Sequence, residues 1–218
     1  GLGAAILALK NNYNVFVSDS NLIKKERKII LEKNKILYEE GGHSFEKVLS
    51  SNLIIKSPGI PNEIDLIKKI KKQNIELISE IEFAARFSKA KIIAVTGTNG
   101  KTTTSLLIFH ILKKAGYDVS IAGNIGNSFA FEISKRDYHY VVLEMSSFQL
   151  DNITDLKPKI SILLNISSDH LDRYNGHIDA YIESKLRITS NQESDDFLIY
   201  NYDDKKFKKI NTKAKKIP

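Results

Sequence analysis

Val95-Thr96-Gly97-Thr98-Asn99-Gly100-Lys101-Thr102-Thr103-Thr104 sets two glycines, a lysine and a run of threonines between a short apolar run and a helical pattern. Residue types in that order can hold the phosphates of a nucleoside triphosphate. Gly97 and Gly100 let the backbone turn tightly, so that successive N–H groups point at phosphate oxygens. The start of the following helix adds its partial positive charge. Lys101 would reach the β- and γ-phosphates, and the Thr102 hydroxyl would bind Mg²⁺. The general form of such loops has a glycine five positions before Gly100, where this chain has Val95. The alternative is a plain glycine turn; the Lys-Thr pair at the strand-to-helix junction favours the phosphate reading.

Other groups could act beside this loop. Glu144 closes the apolar run Val141-Val142-Leu143 and opens Met145-Ser146-Ser147-Phe148-Gln149-Leu150. Ligands of open α/β sheets bind at the carboxyl ends of strands, so a carboxylate there could complete the Mg²⁺ shell begun by Thr102, or be a solvated loop acid. His170, in Asp169-His170-Leu171-Asp172-Arg173, could be a metal ligand, a general base or a structural histidine. Gly123-Asn124-Ile125-Gly126 permits close backbone approach to a ligand, with an amide that both donates and accepts, or is an ordinary turn. Ser57-Pro58-Gly59 is a rigid turn that could offer N–H groups to an anion. Lys185, in Glu183-Ser184-Lys185-Leu186-Arg187, reads locally as a surface helix lysine.

The elements that must position these groups alternate. Apolar runs predict strands over 14–18, 53–56, 75–78, 91–95, 119–122, 140–144, 160–165 and 197–201. Helical patterns fall over 4–11, 22–34, 63–73, 81–87, 102–115, 128–134 and 178–192, with Gly116 as a C-cap after the fifth. Such alternation argues for an α/β fold of parallel sheets. About ninety residues of this pattern precede the phosphate loop, so a first sheet is expected N-terminal to it, with a junction near 88–90. Gly1-Leu2-Gly3 leading into a helix and a strand that ends at Asp19 looks like the back half of a nucleotide-binding βαβ unit. The strand expected before Gly1 is missing, and the chain reads as a fragment.

Composition narrows the field. The 218 residues are 42% hydrophobic, enough to build globular cores, and hold no cysteine, which excludes disulfides and thiolate metal sites and fits a reducing, cytoplasmic setting. No run is long and apolar enough for a membrane span. The net charge of +7 raises the question of nucleic acid. However, the lysines at 68, 69, 71 and 72 and those from 205 to 216 alternate with apolar residues, as solvated helix faces do, without stacking aromatics. No nucleic-acid partner is expected.

Taken together, the motifs resemble the ATP-dependent Mur ligases of peptidoglycan synthesis. The resemblance rests on Thr96-Gly97-Thr98-Asn99-Gly100-Lys101-Thr102, whose family form accounts for Val95, and on Glu144-Met145-Ser146-Ser147-Phe148-Gln149-Leu150. It extends to Asn165-Ile166-Ser167-Ser168-Asp169-His170-Leu171-Asp172-Arg173, Ser184-Lys185-Leu186-Arg187, Gly123-Asn124-Ile125-Gly126 and Ser57-Pro58-Gly59-Ile60-Pro61. The Ser-Ser-Phe-Gln-Leu run points to the branch that adds D-glutamate. Another Mur ligase, a folylpolyglutamate synthase and a non-enzymatic nucleotide-binding remnant are the alternatives.

The resemblance implies a Rossmann-like domain over 1–89 that binds the UDP substrate and a P-loop ATPase-like central domain over 90–218, with a third domain absent. It implies phosphorylation of the alanyl carboxylate of UDP-N-acetylmuramoyl-L-alanine by ATP, then attack by the amine of D-glutamate. Lys101, His170 and Lys185 would be catalytic. Gly97, Thr98, Asn99, Gly100, Lys101, Thr102 and Thr103 would hold ATP. Two Mg²⁺ ions would be held by Thr102, Glu144, His170 and a Lys185 carbamate formed with CO₂. Gly1, Leu2, Asp19, Ser20, Ser57, Gly59, Asn124 and Ser146 would contact the UDP-linked substrate, and the enzyme would act as a monomer.

Overall fold

A computed structural model describes residues 1–167, 174, 176–207 and 210–218. Its main body is a six-stranded, all-parallel sheet in the order β10-β9-β8-β5-β7-β6. The strands are β5 (Lys91–Thr96), β6 (Val119–Gly123), β7 (Tyr140–Glu144), β8 (Ile160–Leu163), β9 (Phe197–Tyr200) and β10 (Lys215–Ile217). β5 and β7 are near-continuous apolar runs because both of their faces are covered, as parallel strands require.

Connection direction decides which helix covers which face. The chain steps one way across the sheet from β5 to β6 through α6 (Lys101–Lys114). It then steps the other way through α7 (Phe129–Lys135), α8 (Ser147–Leu150) and α9 (Ile178–Leu186). Right-handed crossovers therefore put α6 on one face and the other three helices opposite. The apolar clusters agree: Ile93 and Val95 pack with Ile108, Phe109 and Leu112 of α6, whereas Ile92 and Ala94 pack with Phe129, Leu150 and Tyr181. The sheet order reverses beside β5, and a ligand crevice belongs at such a point.

The preceding residues form α1 (Leu2–Lys10), β1 (Phe16–Asp19), α2 (Lys25–Lys33), β2 (Leu37–Glu40), α3 (Phe45–Leu49), β3 (Leu53–Lys56), α4 (Asp65–Lys72), β4 (Glu76–Ser79) and α5 (Glu80–Ala85). The single sheet expected here is two parallel pairs, β1-β2 and β3-β4, because no described strand lies between β1 and β3 to bond both. α1 packs on α7, and the largest apolar cluster joins Leu7, Ile81 and Phe83 to Phe129 and Leu143. That contact is close enough to require Gly3, where a Cβ would lie 2.2 Å from Ser128 Oγ.

Several expected bounds shift for identifiable reasons. The helix expected from residue 22 begins at Lys25, because Glu40 Oε2 takes the N–H of Ile23 at 2.8 Å. The helix expected to reach 192 ends at Leu186 and tightens into a 3₁₀ turn, Arg187–Thr189. β8 ends at Leu163 rather than 165 because the backbone of Asn165 turns to the phosphate loop. β2 and the lysine-rich edge strand β10 are absent from the sequence expectation, as are α3 and α8, because each is short and lacks a clear apolar period. On α4 the lysines face solvent while Leu66, Ile67 and Ile70 are buried, as expected of a solvated helix face. No helix among the described residues is long and apolar enough to cross a membrane.

Candidate active site

The carboxyl ends of β5, β6, β7 and β8 meet at one edge of the sheet. Val95 pairs with Glu144, and Glu144 with Gly123, so the three strand ends lie level. Backbone and side-chain bonds lock them together. Met145 N–H donates to Val95 O at 2.9 Å, and the Thr96 hydroxyl donates to Met145 O at 2.9 Å. Gly123 has φ +103, and a Cβ there would sit 2.3 Å from Glu144 O, so only glycine fits.

Glu144 is 1% exposed. Its Oε1 accepts from Asn124 Nδ2 at 2.8 Å, and its carbonyl accepts from Asn124 N at 2.9 Å. Its Oε2 is buried without a partner among the described residues. An orphaned carboxylate oxygen is costly unless something cationic or protic satisfies it, and a hard metal ion does so. Among the described residues no group of three or more His, Asp or Glu is arranged to hold a metal ion. The orphaned Oε2 of Glu144 fits a hard cation.

Two lysines converge on the phosphate loop. Lys101, at the first position of α6, folds back so that Nζ donates to Gly97 O at 2.9 Å and to Thr98 O at 2.7 Å. Lys185 Nζ donates to the same Gly97 O at 3.0 Å and lies 4.6 Å from the centre of the Tyr181 ring. Lys185 is 2% exposed, which overturns its local reading as a surface lysine. Both lysine side chains thus end on one carbonyl oxygen. Thr98 Oγ1 lies between Tyr181 OH at 3.2 Å and Ser167, whose N–H reaches it at 3.0 Å. Thr102 and Thr103, in the first turn of α6, are exposed.

The signature after β7 forms α8. Gln149 Oε1 accepts from the N–H of Ser146 at 2.9 Å and from its hydroxyl at 3.0 Å, which fixes the turn out of the strand. Ser147 O accepts from Ser184 Oγ at 2.9 Å, and Ser184 Oγ accepts from Tyr174 OH at 3.1 Å, joining α8 to the helix that carries Lys185. Glu82, fully buried in α5, accepts the N–H groups of Thr154, Asp155 and Leu156 and pins the loop beyond α8.

A cleft of about 400 Å³ opens above these loops, lined by Pro58, Gly59, Lys101, Gly123, Asn124 and the 146–149 segment. It brings together Lys101, Asn124, Ser146 and Gly59 from the expected site. Ser57 adjoins this lining, with its carbonyl accepting from Ile60 N at 3.0 Å. Gly1, Leu2, Asp19 and Ser20 lie outside the lining; Asp19 Oδ1 caps the N–H of Asn21 at 2.9 Å. His170 lies outside the described residues. Sequence reasoning missed Lys56, which is 3% exposed and donates to Ile60 O at 2.6 Å, holding the Ser57-Pro58-Gly59 turn. A lysine closing the apolar run Leu53-Ile54-Ile55 directly before that turn is the signal that could have found it.

A family model described as the Mur ligase middle domain matches residues 95–218, and one described as the MurD N-terminal domain matches residues 4–66. The UDP-N-acetylmuramoylalanine–D-glutamate ligase of Bacteroides fragilis is 48% identical over 204 residues, covering 94% of this chain and 46% of the relative. The protein of that name from Chlorobaculum parvum is 41% identical over 209 residues, covering 94% and 44%. The chain thus spans about half the length of these relatives. Two solved structures share the fold. One is the UDP-N-acetylmuramate:L-alanyl-γ-D-glutamyl-meso-diaminopimelate ligase of Neisseria meningitides (TM-score 0.66, 16% identity, 99% of this chain and 73% of that one). The other is the UDP-N-acetylmuramate–alanine ligase of Thermotoga maritima (TM-score 0.57, 22% identity, 100% and 50%).

Proposed function

The chain belongs to the Mur ligase family, and we propose that it is the UDP-substrate- and ATP-binding portion of a ligase that joins D-glutamate to UDP-N-acetylmuramoyl-L-alanine. The observation that carries this reading is the cleft in which Lys101 of the phosphate loop faces Pro58 and Gly59 of the N-terminal region across Asn124 and Ser146. A substrate held at its UDP end by residues 1–89 would reach across that cleft to the γ-phosphate of ATP held by residues 90–218. Gly1, Leu2, Asp19, Ser20, Ser57 and Gly59 would serve the UDP end, and Asn124 and Ser146 the muramoyl-alanine end. The choice of D-glutamate is supported by the names of the relatives. The reading places the enzyme in the cytoplasm, acting as a monomer.

A carboxylate oxygen is a poor leaving group, so the alanyl carboxylate first takes the γ-phosphoryl group of ATP and ADP is released. The amine of D-glutamate then attacks the carbonyl carbon. The N–C bond forms, the C–O bond to phosphate breaks, and the amine gives up a proton. Lys101 would exchange Gly97 O and Thr98 O for phosphate oxygens, and the N–H groups from Gly100 to Thr103 would complete the cradle. Glu144 Oε2 and the Thr102 hydroxyl would hold one Mg²⁺, which neutralises phosphate charge. Lys185, as a neutral amine, would add to CO₂ with loss of a proton. The resulting carbamate would place anionic oxygen donors where the amine now ends beside Gly97 O. With His170 it would hold a second Mg²⁺.

The test is phosphate release by the full-length protein with ATP and UDP-N-acetylmuramoyl-L-alanine. D-Glutamate is expected to support turnover, whereas L-glutamate, diaminopimelate, and folate paired with L-glutamate are not. Equal or faster turnover with any of these would overturn the assignment. Lys185→Ala is expected to abolish activity and short carboxylic acids to restore part of it; failure of every such acid would count against the carbamate.

A further inference from the structure

We infer that Asn165 is a positioning residue for the phosphate loop, a role that rests on the phosphate-loop reading above and deepens it. Asn165 lies just beyond β8, the neighbour of β5 on the side where the sheet order reverses. Its side-chain Oδ1 accepts from the N–H of Asn99 at 2.9 Å, and its Nδ2 donates to the carbonyl of the same residue at 3.0 Å. Its own carbonyl accepts from the N–H of Thr98 at 2.9 Å. One side chain thus grips both polar groups of a single loop residue while its backbone grips the residue before. An N–H can only donate and a carbonyl can only accept, so only one orientation of the amide serves both bonds. Next to it, Leu164 fills the space beside Gly97, where a Cβ would meet Leu164 Cβ at 2.9 Å.

This grip has a consequence for the ligand. The N–H groups of Thr98 and Asn99 are already bonded to Asn165, so phosphate oxygens must be met from Gly100 onward. The carbonyl of Asn99 is held by Nδ2 rather than left to turn toward the phosphates, where its negative end would repel them. Asn99 is exposed at the loop tip, so water would compete for both of its bonds if the amide were removed. Two residues on from Asn165, the Ser167 N–H donates to Thr98 Oγ1 at 3.0 Å. A shift of residues 165–167 would therefore move the phosphate loop with it.

The test compares Asn165→Ala, Asn165→Asp and Lys101→Ala in the full-length enzyme, with equilibrium binding of ATP and of UDP-N-acetylmuramoyl-L-alanine measured separately. Asn165→Ala is expected to weaken ATP about ten-fold, the loss of two neutral hydrogen bonds, and to leave the UDP-linked substrate within about two-fold. Asn165→Asp keeps size and one acceptor but sets a carboxylate oxygen against the Asn99 carbonyl, so its loss for ATP is expected to be at least as large. Unchanged ATP binding in both Asn165 variants, with Lys101→Ala impaired, would overturn the positioning role and leave the phosphate loop standing. Equal weakening of both ligands would overturn it in favour of a general structural role. Unchanged ATP binding in Lys101→Ala would sink the phosphate-loop reading itself.

Discussion

Residues 1–89 and 90–218 are built from the same unit, a parallel strand followed by a helix, yet they hold their strand-end loops in different ways. In the second region the loops bond to one another across the sheet. Asn124 grips Glu144, Thr96 grips Met145, Asn165 grips Asn99, and Ser167 grips Thr98. In the first, the turns after β1 and β3 take local bonds. The 19–21 turn bonds to itself and to residues 41 and 42 beyond β2, and the 57–60 turn is held by Lys56. Among the described residues no strand-to-strand bond joins the two pairs. A region whose loops fix one another suits chemistry that depends on the placement of charge. A region whose loops are separately anchored suits recognition of an extended ligand that itself spans them.

The largest effect expected from this contrast is that of Lys101→Ala. In the full-length enzyme it should lower ATP-dependent amide formation by about a thousand-fold, as loss of a charge-stabilising donor does. Affinity for the UDP-linked substrate, measured calorimetrically, should stay within about two-fold. A parallel fall in both would show that the two regions do not divide the work.

Next come core truncations that probe how far the regions are separate as packed bodies. Phe129 is fully buried in the cluster that joins α1 and α5 to α7. Phe129→Ala should cost about 3–5 kcal/mol in denaturant unfolding, and hydrogen exchange should quicken in α1 as well as in β6 and β7. Leu31 belongs to a small cluster with Ala5, Ile23 and Ile36. Leu31→Ala should cost about 2–3 kcal/mol, with faster exchange confined to α1, β1, β2 and α2. Exchange that spreads to β7 in the second variant would break the comparison.

Sequence legibility divides instead by whether a feature is local. β3 and β7 were readable to the residue, because apolar runs bounded by turns mark buried parallel strands locally. β2 was not, since Glu39 and Glu40 hide a strand whose carboxylates are used by Ser18, Ile23 and Ser44. The phosphate loop was legible as a local spacing. Burial of Lys185 was not, because its bond to Gly97 joins residues 88 apart in sequence. The bonds of Asn165 to Asn99 and of Glu82 to residues 154–156 are equally long-range and leave no local period.

The smallest effect lies at the seam of the second region. Burial pushes the Glu132 carboxyl up, but hydrogen bonds from Lys135, Tyr138, Asn127 and Ser120 outweigh it and hold the group below the usual glutamate range. A carboxyl depressed in the folded state stabilises it at pH values above the unfolded-state pKa, about 4.3. That contribution is lost as pH falls through the folded-state value. Stability measured by urea unfolding should therefore decline below about pH 4.3 in the native protein. Glu132→Gln should cost about 1–2 kcal/mol at neutral pH, because the amide cannot accept all four bonds, and should flatten the acid limb. The loss should appear as faster exchange in α7 and β6, where Ser120 and Asn127 would lose their partner, and not in β1 or β2. An acid limb as steep in Glu132→Gln as in the native protein would assign the pH dependence to other carboxylates, with Glu40, held low by Lys28 in the first region, next to be substituted.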